Sequence, residues 1–584
     1  MGENGGIAGA AGTGTAGSQG FAGAGGAGPA CEGHDINVPV ATLTGTVTAA
    51  GARLSATNQV GFVFRSTAGD AQIVVDGATA YTARLVPGTY DLYYRAGGGA
   101  PATSGVPLNG FAKIREGLAI SRGSSSLDID IPVADVTVSF TVGGAAVSTE
   151  GNAASIYFRN TSRGDDVAYL GTINKTNIRL VPGTYDVEYS LSSLSATLPA
   201  NARARIRTGV VIPKGSSSLD LDIPVATITG SFTVNGAAIG STSYDQHIVL
   251  SDAAMRDGVT LGYLGPDPYS ARVVPGTYDV YYQGDAASST VPLNAHARIR
   301  TGVVIPAGSF SLDVDVPVAT VTGSFTVNGA PAPSPNQFSR VFARNTATHD
   351  AAFLGYVGQT TYAARLVPGT YDVYYSGGTS ADAPLPTNTG RIRTGVVVPA
   401  GNSSLDIDIP FATVTGSFTV NGVALPSTIN EGRIGVRNLT DDGLNVFTEL
   451  GYIGQTTYSA RLVPGSYDLV YVPPTTGSTL PLNSGTIRAG VAIPAGSSSL
   501  NVDLPAVTIA GLLTVDGAAV PSTSEYGYIY LEDRGTGTQV RLASTAESSY
   551  TARVIPGSYD AYYRHFTTGS IANLNAGLRC LSAP

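Results

Sequence analysis

The chain has 584 residues, of which 13% are charged and 43% hydrophobic, with 74 glycines, 34 prolines, 30 tyrosines, no tryptophan and five histidines. That balance is not the one of a disordered polyelectrolyte, which carries more charge and less Val, Ile, Leu and Tyr. A net charge of -9 with no basic run argues against a nucleic-acid partner or an anionic membrane surface.

Residues 1–33 are mainly Gly, Ala, Ser and Thr, with almost no large apolar side chain. They cannot bury enough surface to offset ordering entropy, and are expected to form a flexible tether like those preceding modules on secreted or surface-anchored bacterial proteins. The opening Met1-Gly2-Glu3-Asn4 has no apolar h-region, so no signal peptide is expected in the chain as given. No apolar run approaches the roughly 18 residues of a transmembrane helix. Gly23 to Gly28 matches G-x-G-x-x-G, but a dinucleotide site needs a strand before it and a helix after it, so the match is compositional.

From residue 34 the chain repeats itself. Pro-Gly-Thr/Ser-Tyr-Asp recurs with its tyrosine at Tyr90, Tyr185, Tyr278, Tyr371, Tyr467 and Tyr559, at spacings of 95, 93, 93, 96 and 92. Pro-Val-Ala-Thr or a variant follows Pro39, Pro132, Pro224, Pro317, Pro410 and Pro505. The period is far longer than a solenoid or propeller-blade repeat and suits a complete small β domain. The expected units are repeat 1 at 34–130, repeat 2 at 131–222, repeat 3 at 223–315, repeat 4 at 316–408, repeat 5 at 409–503 and an incomplete repeat 6 at 504–584.

Within a unit the hydrophobic period is two. Thr322-Gly323-Ser324-Phe325-Thr326-Val327 alternates and ends in the turn signal Asn328-Gly329. Arg365-Leu366-Val367 leads into Pro368-Gly369, and Tyr371-Asp372-Val373-Tyr374-Tyr375 resumes as a strand. Val397-Val398-Pro399-Ala400-Gly401-Asn402 reads as a hairpin turn into Leu405-Asp406-Ile407-Asp408. The fold class expected is all-β, a tandem array of six Greek-key sandwiches of transthyretin-like or Ig-like type.

Val-Thr-Gly-Ser-Phe-Thr-Val-Asn-Gly-Ala-Pro, followed after a variable stretch by Ala-Arg-Leu-Val-Pro-Gly-Thr-Tyr-Asp-Val-Tyr-Tyr, resembles the carboxypeptidase regulatory-like, transthyretin-like family. The resemblance covers the first two thirds of each repeat and implies a non-catalytic accessory or surface module. The Arg-Ile-Arg-Thr-Gly segment completing each unit departs from that pattern.

No G-x-S-x-G, H-E-x-x-H or C-x-x-C occurs, and His34, His247, His296, His349 and His565 fall at unrelated repeat positions. No catalytic residue and no cofactor is therefore expected. Four acidic pairs recur at i, i+2: Asp128/Asp130, Asp220/Asp222, Asp313/Asp315 and Asp406/Asp408. One reading is calcium held at module junctions, although a hard cation needs six to eight oxygens. The other is a charge ladder. With Pro306 to Ser309 as the turn, Arg300 faces Asp315, and likewise Arg115 Asp130, Arg207 Asp222, Arg393 Asp408 and Arg488 Asp503. Alternation separates Tyr93, Tyr281, Tyr374 and Tyr562 from the core tyrosines, so they are either stacking platforms for sugar rings or packed structure. Lys113, Lys175 and Lys214 are the only lysines, which rules out Lys-Asn or Lys-Asp cross-links in the last four repeats.

Two cysteines are too few for a disulfide framework or a zinc cluster. Repeat 6 lacks its last strand, while Asp35-Ile36-Asn37-Val38-Pro39-Val40 at the other end matches Asp406-Ile407-Asp408-Ile409-Pro410-Phe411. The expectation is that the N-terminal strand completes the sixth unit and a Cys31-Cys580 bridge fixes it. This happens within one chain as a ring, or between chains as a head-to-tail filament. The alternative is a piece cut from a longer array. The function expected is a non-enzymatic extracellular or bacterial cell-surface stalk, scaffold or adhesin. Its alternatives are an array binding glycan or surface protein through variable loops such as 330–352 and 425–447, and an accessory region of a larger secreted hydrolase.

Overall fold

A computed structural model describes residues 35–565, apart from short stretches between strands, together with residues 575–578. The described residues are all β, without an α-helix, and none of their elements is a helix long and apolar enough to cross a membrane. They form a tandem array of two-layered sandwiches.

Repeat 1 shows the plan. Its strands are β2 (Ala41–Ala49), β3 (Ala52–Arg53), β4 (Gln59–Ser66), β5 (Gly69–Asp76), β6 (Ala80–Leu85), β7 (Gly88–Ala96), β8 (Ala112–Ile120), β9 (Gly123–Ser126) and β10 (Ile129–Ile131), preceded by β1 (Ile36–Val38). One sheet is antiparallel in the order β5-β4-β7-β8. The other is built on β2, with β6 antiparallel on one edge and β9 and β10 parallel on the opposite edge. Period-two alternation sends Leu43 and Val47 of β2 inward to meet Phe62 and Phe64 of β4 and Leu92 of β7, all at most 2% exposed. Phe64 and Tyr90 pack edge to face with centroids 6.2 Å apart, a preferred aromatic geometry.

The expected hairpin is a crossover. His296–Ile305 is the edge of the four-stranded sheet of repeat 3, whereas Gly308–Ser311 and Val314–Val316 pair parallel with Ala226–Gly230 and Phe232–Val234 in the opposite sheet. Val314 and Val316 are at most 2% exposed, and this placement puts both in the core with Asp315 outside. The register that set Arg115, Arg207, Arg300, Arg393 and Arg488 against Asp130, Asp222, Asp315, Asp408 and Asp503 is thereby overturned. Instead Arg207 and Arg393 donate to the backbone carbonyls of Asp220 and Asp406, at 3.0 and 3.3 Å.

The glycine of Val-Thr-Gly-Ser-Phe has a steric role in this crossover. A Cβ on Gly45, Gly230, Gly323 or Gly416 would lie 1.9 to 2.0 Å from the carbonyl oxygen of Leu127, Leu312, Leu405 or Leu500. Those leucines stand where the returning strand is interrupted. In repeat 2, Val138 occupies the glycine position, and the returning strand Gly215–Ile223 runs unbroken along Ala134–Val142.

In repeat 6, Val507–Val515 takes the role of β2 and pairs with Ser549–Val554. On its other edge lies β1, parallel, with Ile36 opposite Leu513 and Val38 opposite Val515. This is the register in which Ile129 and Ile131 of β10 face Val47 and Ala49. Pro39 and Val40 join β1 to β2, just as Pro132 and Val133 join β10 to the next repeat. Ile36 and Val38, at most 2% exposed, belong to one core cluster containing both Val47 and Leu43 of repeat 1 and Leu513, Ile529 and Leu531 of repeat 6.

Candidate functional site: the junctions between repeats

The most regular polar feature of the chain lies where one repeat meets the next. Asn109 follows Pro107-Leu108 and is fully buried. Its Oδ1 accepts the Val181 N–H of repeat 2 at 2.7 Å, and its Nδ2 donates to the Tyr185 hydroxyl at 3.0 Å. Tyr185 in turn donates to the Val181 carbonyl at 2.6 Å, so one side chain from each repeat satisfies the two backbone polar groups of the same buried residue.

The arrangement recurs at every internal junction. Asn201 joins Val274 and Tyr278, Asn294 joins Val367 and Tyr371, Asn388 joins Val463 and Tyr467, and Asn483 joins Ile555 and Tyr559. The leucine, alanine or threonine before each asparagine donates its N–H to the backbone carbonyl of Arg179, Arg272, Arg365, Arg461 or Arg553. Burial raises Tyr185, Tyr371, Tyr467 and Tyr559, the last two pushed up to about 12. A second tyrosine in each of the first five repeats, Tyr94, Tyr189, Tyr282, Tyr375 or Tyr471, donates to the carbonyl of the proline two residues before the asparagine. Sequence reasoning missed these asparagines, although Pro-x-Asn recurs at Pro107, Pro199, Pro292, Pro386 and Pro481.

A second clamp ties the turn to the following linker in repeats 3, 4 and 5. Asn235 accepts the Val318 N–H and donates to the Val318 carbonyl, as Asn328 does with Phe411 and Asn421 with Ala506. These asparagines sit at φ of 47 to 50°, the left-handed conformation of an Asn-Gly hairpin turn.

Repeats 6 and 1 meet through equivalent positions. Asp516, at φ 52°, accepts the Val40 N–H at 3.0 Å, and Arg122 Nη2 lies 3.2 Å from the same oxygen. Asp35 accepts the Leu512 N–H at 2.8 Å, and Asn37 accepts the Thr514 hydroxyl and the Gly517 N–H. Asn575–Leu578 of repeat 6 lies against β5 of repeat 1, on the side where Asn109 bridges to Ala168 and Asn294 to Ala352.

The paired aspartates are acceptors inside each repeat. Asp128 accepts the Thr46 N–H and hydroxyl at 2.8 and 2.7 Å, while Asp130 accepts the Thr48 hydroxyl and the Gly51 N–H. Asp313/Asp315 and Asp406/Asp408 hold Ser231, Thr233, Gly236 and Ser324, Thr326, Gly329 in the same way. Asp220 accepts from Ser139, and Asp222 from Thr141 and Gly144. Hydrogen bonds from Thr46, Ser231 and Ser324 hold Asp128, Asp313 and Asp406 below the usual carboxylate range. Among the described residues no group of three or more His, Cys, Asp or Glu is placed to hold a metal ion.

The tyrosines weighed as sugar platforms are not a common exposed face. Tyr93 and Tyr374 are only 1% and 3% exposed. Tyr93 stacks on Phe111 at 4.8 Å, Tyr374 on Phe342 at 5.3 Å and Tyr281 on His296 at 4.4 Å. Tyr562 is half-buried, 3.5 Å from Glu532. Cross-strand neighbours that single-strand alternation does not reveal cover these rings. The Asp of Pro-Gly-x-Tyr-Asp has a local role, since Asp91, Asp186, Asp279, Asp372 and Asp468 accept the N–H of the bulged glycines Gly117, Gly209, Gly302, Gly395 and Gly490. Cys31 and Cys580 lie outside the described residues, as do 425–430 and 439–445 of one variable segment.

No family model matches the chain, and no curated protein does. Among solved structures, the Bacillus anthracis TIE protein is similar over 60% of this chain and 66% of its own, at 11% identity and a TM-score of 0.13. A streptococcal ancillary pilin is similar over 47% of this chain and 98% of its own, at 10% identity and a TM-score of 0.14. Two B repeat units of the collagen binding protein of Staphylococcus aureus are similar over 63% of this chain and 98% of theirs, at 10% identity and a TM-score of 0.13.

Proposed function

We propose that the chain is a non-enzymatic structural protein of the bacterial surface or extracellular space, a scaffold or adhesin made of six sandwiches closed into a ring. The observation that carries the closure is β1, which lies on Val507–Val515 in the register that β10 uses on β2. Repeat 6 thus gains from the N-terminus the strand that each other repeat draws from its own end. A ring removes the two free ends of an array and holds its loops on a constant frame, which favours a scaffold or adhesin over an extended stalk. Strand donation between chains uses the same contacts and would give filaments.

Light scattering after size-exclusion chromatography distinguishes the two, with a monomer of 59.3 kDa expected for the ring and a ladder of multimers for strand donation. The surface role is tested by protease treatment of intact producing cells. Release of peptides from the repeats before lysis is expected, and protection until lysis overturns the reading.

A further inference from the structure

We infer that a cleft in repeat 4, on the face of its four-stranded sheet turned away from the core, binds the carboxylate of a small acidic ligand the size of one uronic acid residue. The cleft has a volume of about 210 Å³ and is lined by Arg344, Asn345, Thr346, His349, Asp372, Tyr374 and Arg391. This volume lies below the roughly 300 Å³ at which drug-sized pockets begin, and suits a single sugar ring.

The charge of the lining selects the ligand. Asp372, the one carboxylate present, receives Arg391 Nη1 at 3.0 Å and the Gly395 N–H at 2.8 Å. Arg344 donates Nε to the His349 carbonyl at 3.0 Å. Two guanidiniums against one carboxylate leave a net positive wall, and guanidinium is the side chain best shaped to grip a carboxylate. Phe342 stacks on Tyr374 from the neighbouring strand at 5.3 Å.

Repeat 2 contains an internal imitation of the complex. Arg159 faces Asp186 across the strands as Arg344 faces Asp372, and Glu188 occupies the position of Tyr374. Glu188 is 1% exposed and accepts from Arg159 at 2.8 Å and from Arg203. The same scaffold position therefore already binds a carboxylate, supplied there by the chain itself. In repeat 1 the corresponding Arg65 lies over the rings of Tyr93 and Phe111 instead, at 5.4 and 4.7 Å. In repeat 4 the arginine lines a cleft. The inference does not depend on closure between repeats 6 and 1.

The test is titration of the full chain with D-glucuronate, glucose and inorganic phosphate, followed by isothermal calorimetry. Saturable glucuronate binding is expected, with glucose at least tenfold weaker. Arg344→Gln should weaken glucuronate at least tenfold while leaving the unfolding midpoint unchanged. Tyr374→Glu, which rebuilds the arrangement of repeat 2, should abolish binding, and its own unfolding curve reports whether the repeat remains folded. Equal binding of glucose, undiminished binding to Arg344→Gln, or binding of phosphate without glucuronate each overturns the inference.

Discussion

Val40 and Asp516 are 476 positions apart in sequence, yet the Val40 N–H donates to the Asp516 carboxylate at 3.0 Å. Asn235, Asn328 and Asn421 make the corresponding bond inside the array with neutral amides. Among these four contacts of the described residues, the one at Val40 has an aspartate as acceptor, with Arg122 beside it. Asp516→Ala should therefore loosen the contact between repeats 6 and 1 by about 1 kcal/mol, the ordinary net value of such a bond. Hydrogen exchange checks this, with amides of β1 and Val507–Val515 exchanging several-fold faster and those of repeat 3 unchanged.

Asn294→Ala leaves the buried Val367 N–H without its acceptor, while Tyr371 still donates to the Val367 carbonyl. Unsatisfied buried donors cost about 1–3 kcal/mol, so a loss of about 2 kcal/mol is expected in urea unfolding. Tyr371→Phe leaves the asparagine and the Val367 N–H paired and should cost less, about 1 kcal/mol.

Two glycines six positions apart should respond differently to alanine. At Gly323 a Cβ would lie 2.0 Å from the Leu405 carbonyl oxygen, so the returning strand must move, costing about 3 kcal/mol. At Gly329 there is open space but φ is 76°, and the cost should be only about 1 kcal/mol. Equal unfolding midpoints for the two variants would contradict the steric account of the crossover.

Two aspartates should shift stability in opposite directions with pH. Hydrogen bonds from Ser231 lower Asp313, so its contribution is present above the unfolded carboxylate pKa and is lost as pH falls through the lower folded value. Burial raises Asp350 despite bonds from Asn294 and the His296 N–H, so its contribution is full below the unfolded pKa and is lost as pH rises through the higher folded value. Asp313→Asn should flatten the acid limb while keeping the hydrogen bond, as Asn501 does with Ser417 in repeat 5. Asp350→Asn should remove the opposite slope, seen as relative stabilisation towards neutral pH in unfolding curves at pH 3 to 7.

The all-β repeat plan was legible because period-two alternation and the Asn-Gly turns at Asn235, Asn328 and Asn421 are local signals. The crossover was not, since Val303-Val304-Ile305-Pro306-Ala307-Gly308 turns a hairpin and a change of sheet with the same residues. What separates them is Gly230 against Leu312, a contact between residues 82 positions apart. The junction asparagines were visible as Pro-x-Asn but carried no meaning until Val181 and Tyr185 were seen to share Asn109. The tyrosine faces failed for a related reason: Phe111 and Phe342 cover Tyr93 and Tyr374 from neighbouring strands.

Closure of the six sandwiches through β1 is tested most directly by small-angle X-ray scattering from the monomeric chain. The account predicts a compact annular particle, whose distance distribution falls off within a few sandwich widths and lengthens when β1 is replaced by glycines. A rod of six sandwiches end to end, unchanged by that replacement, would contradict it.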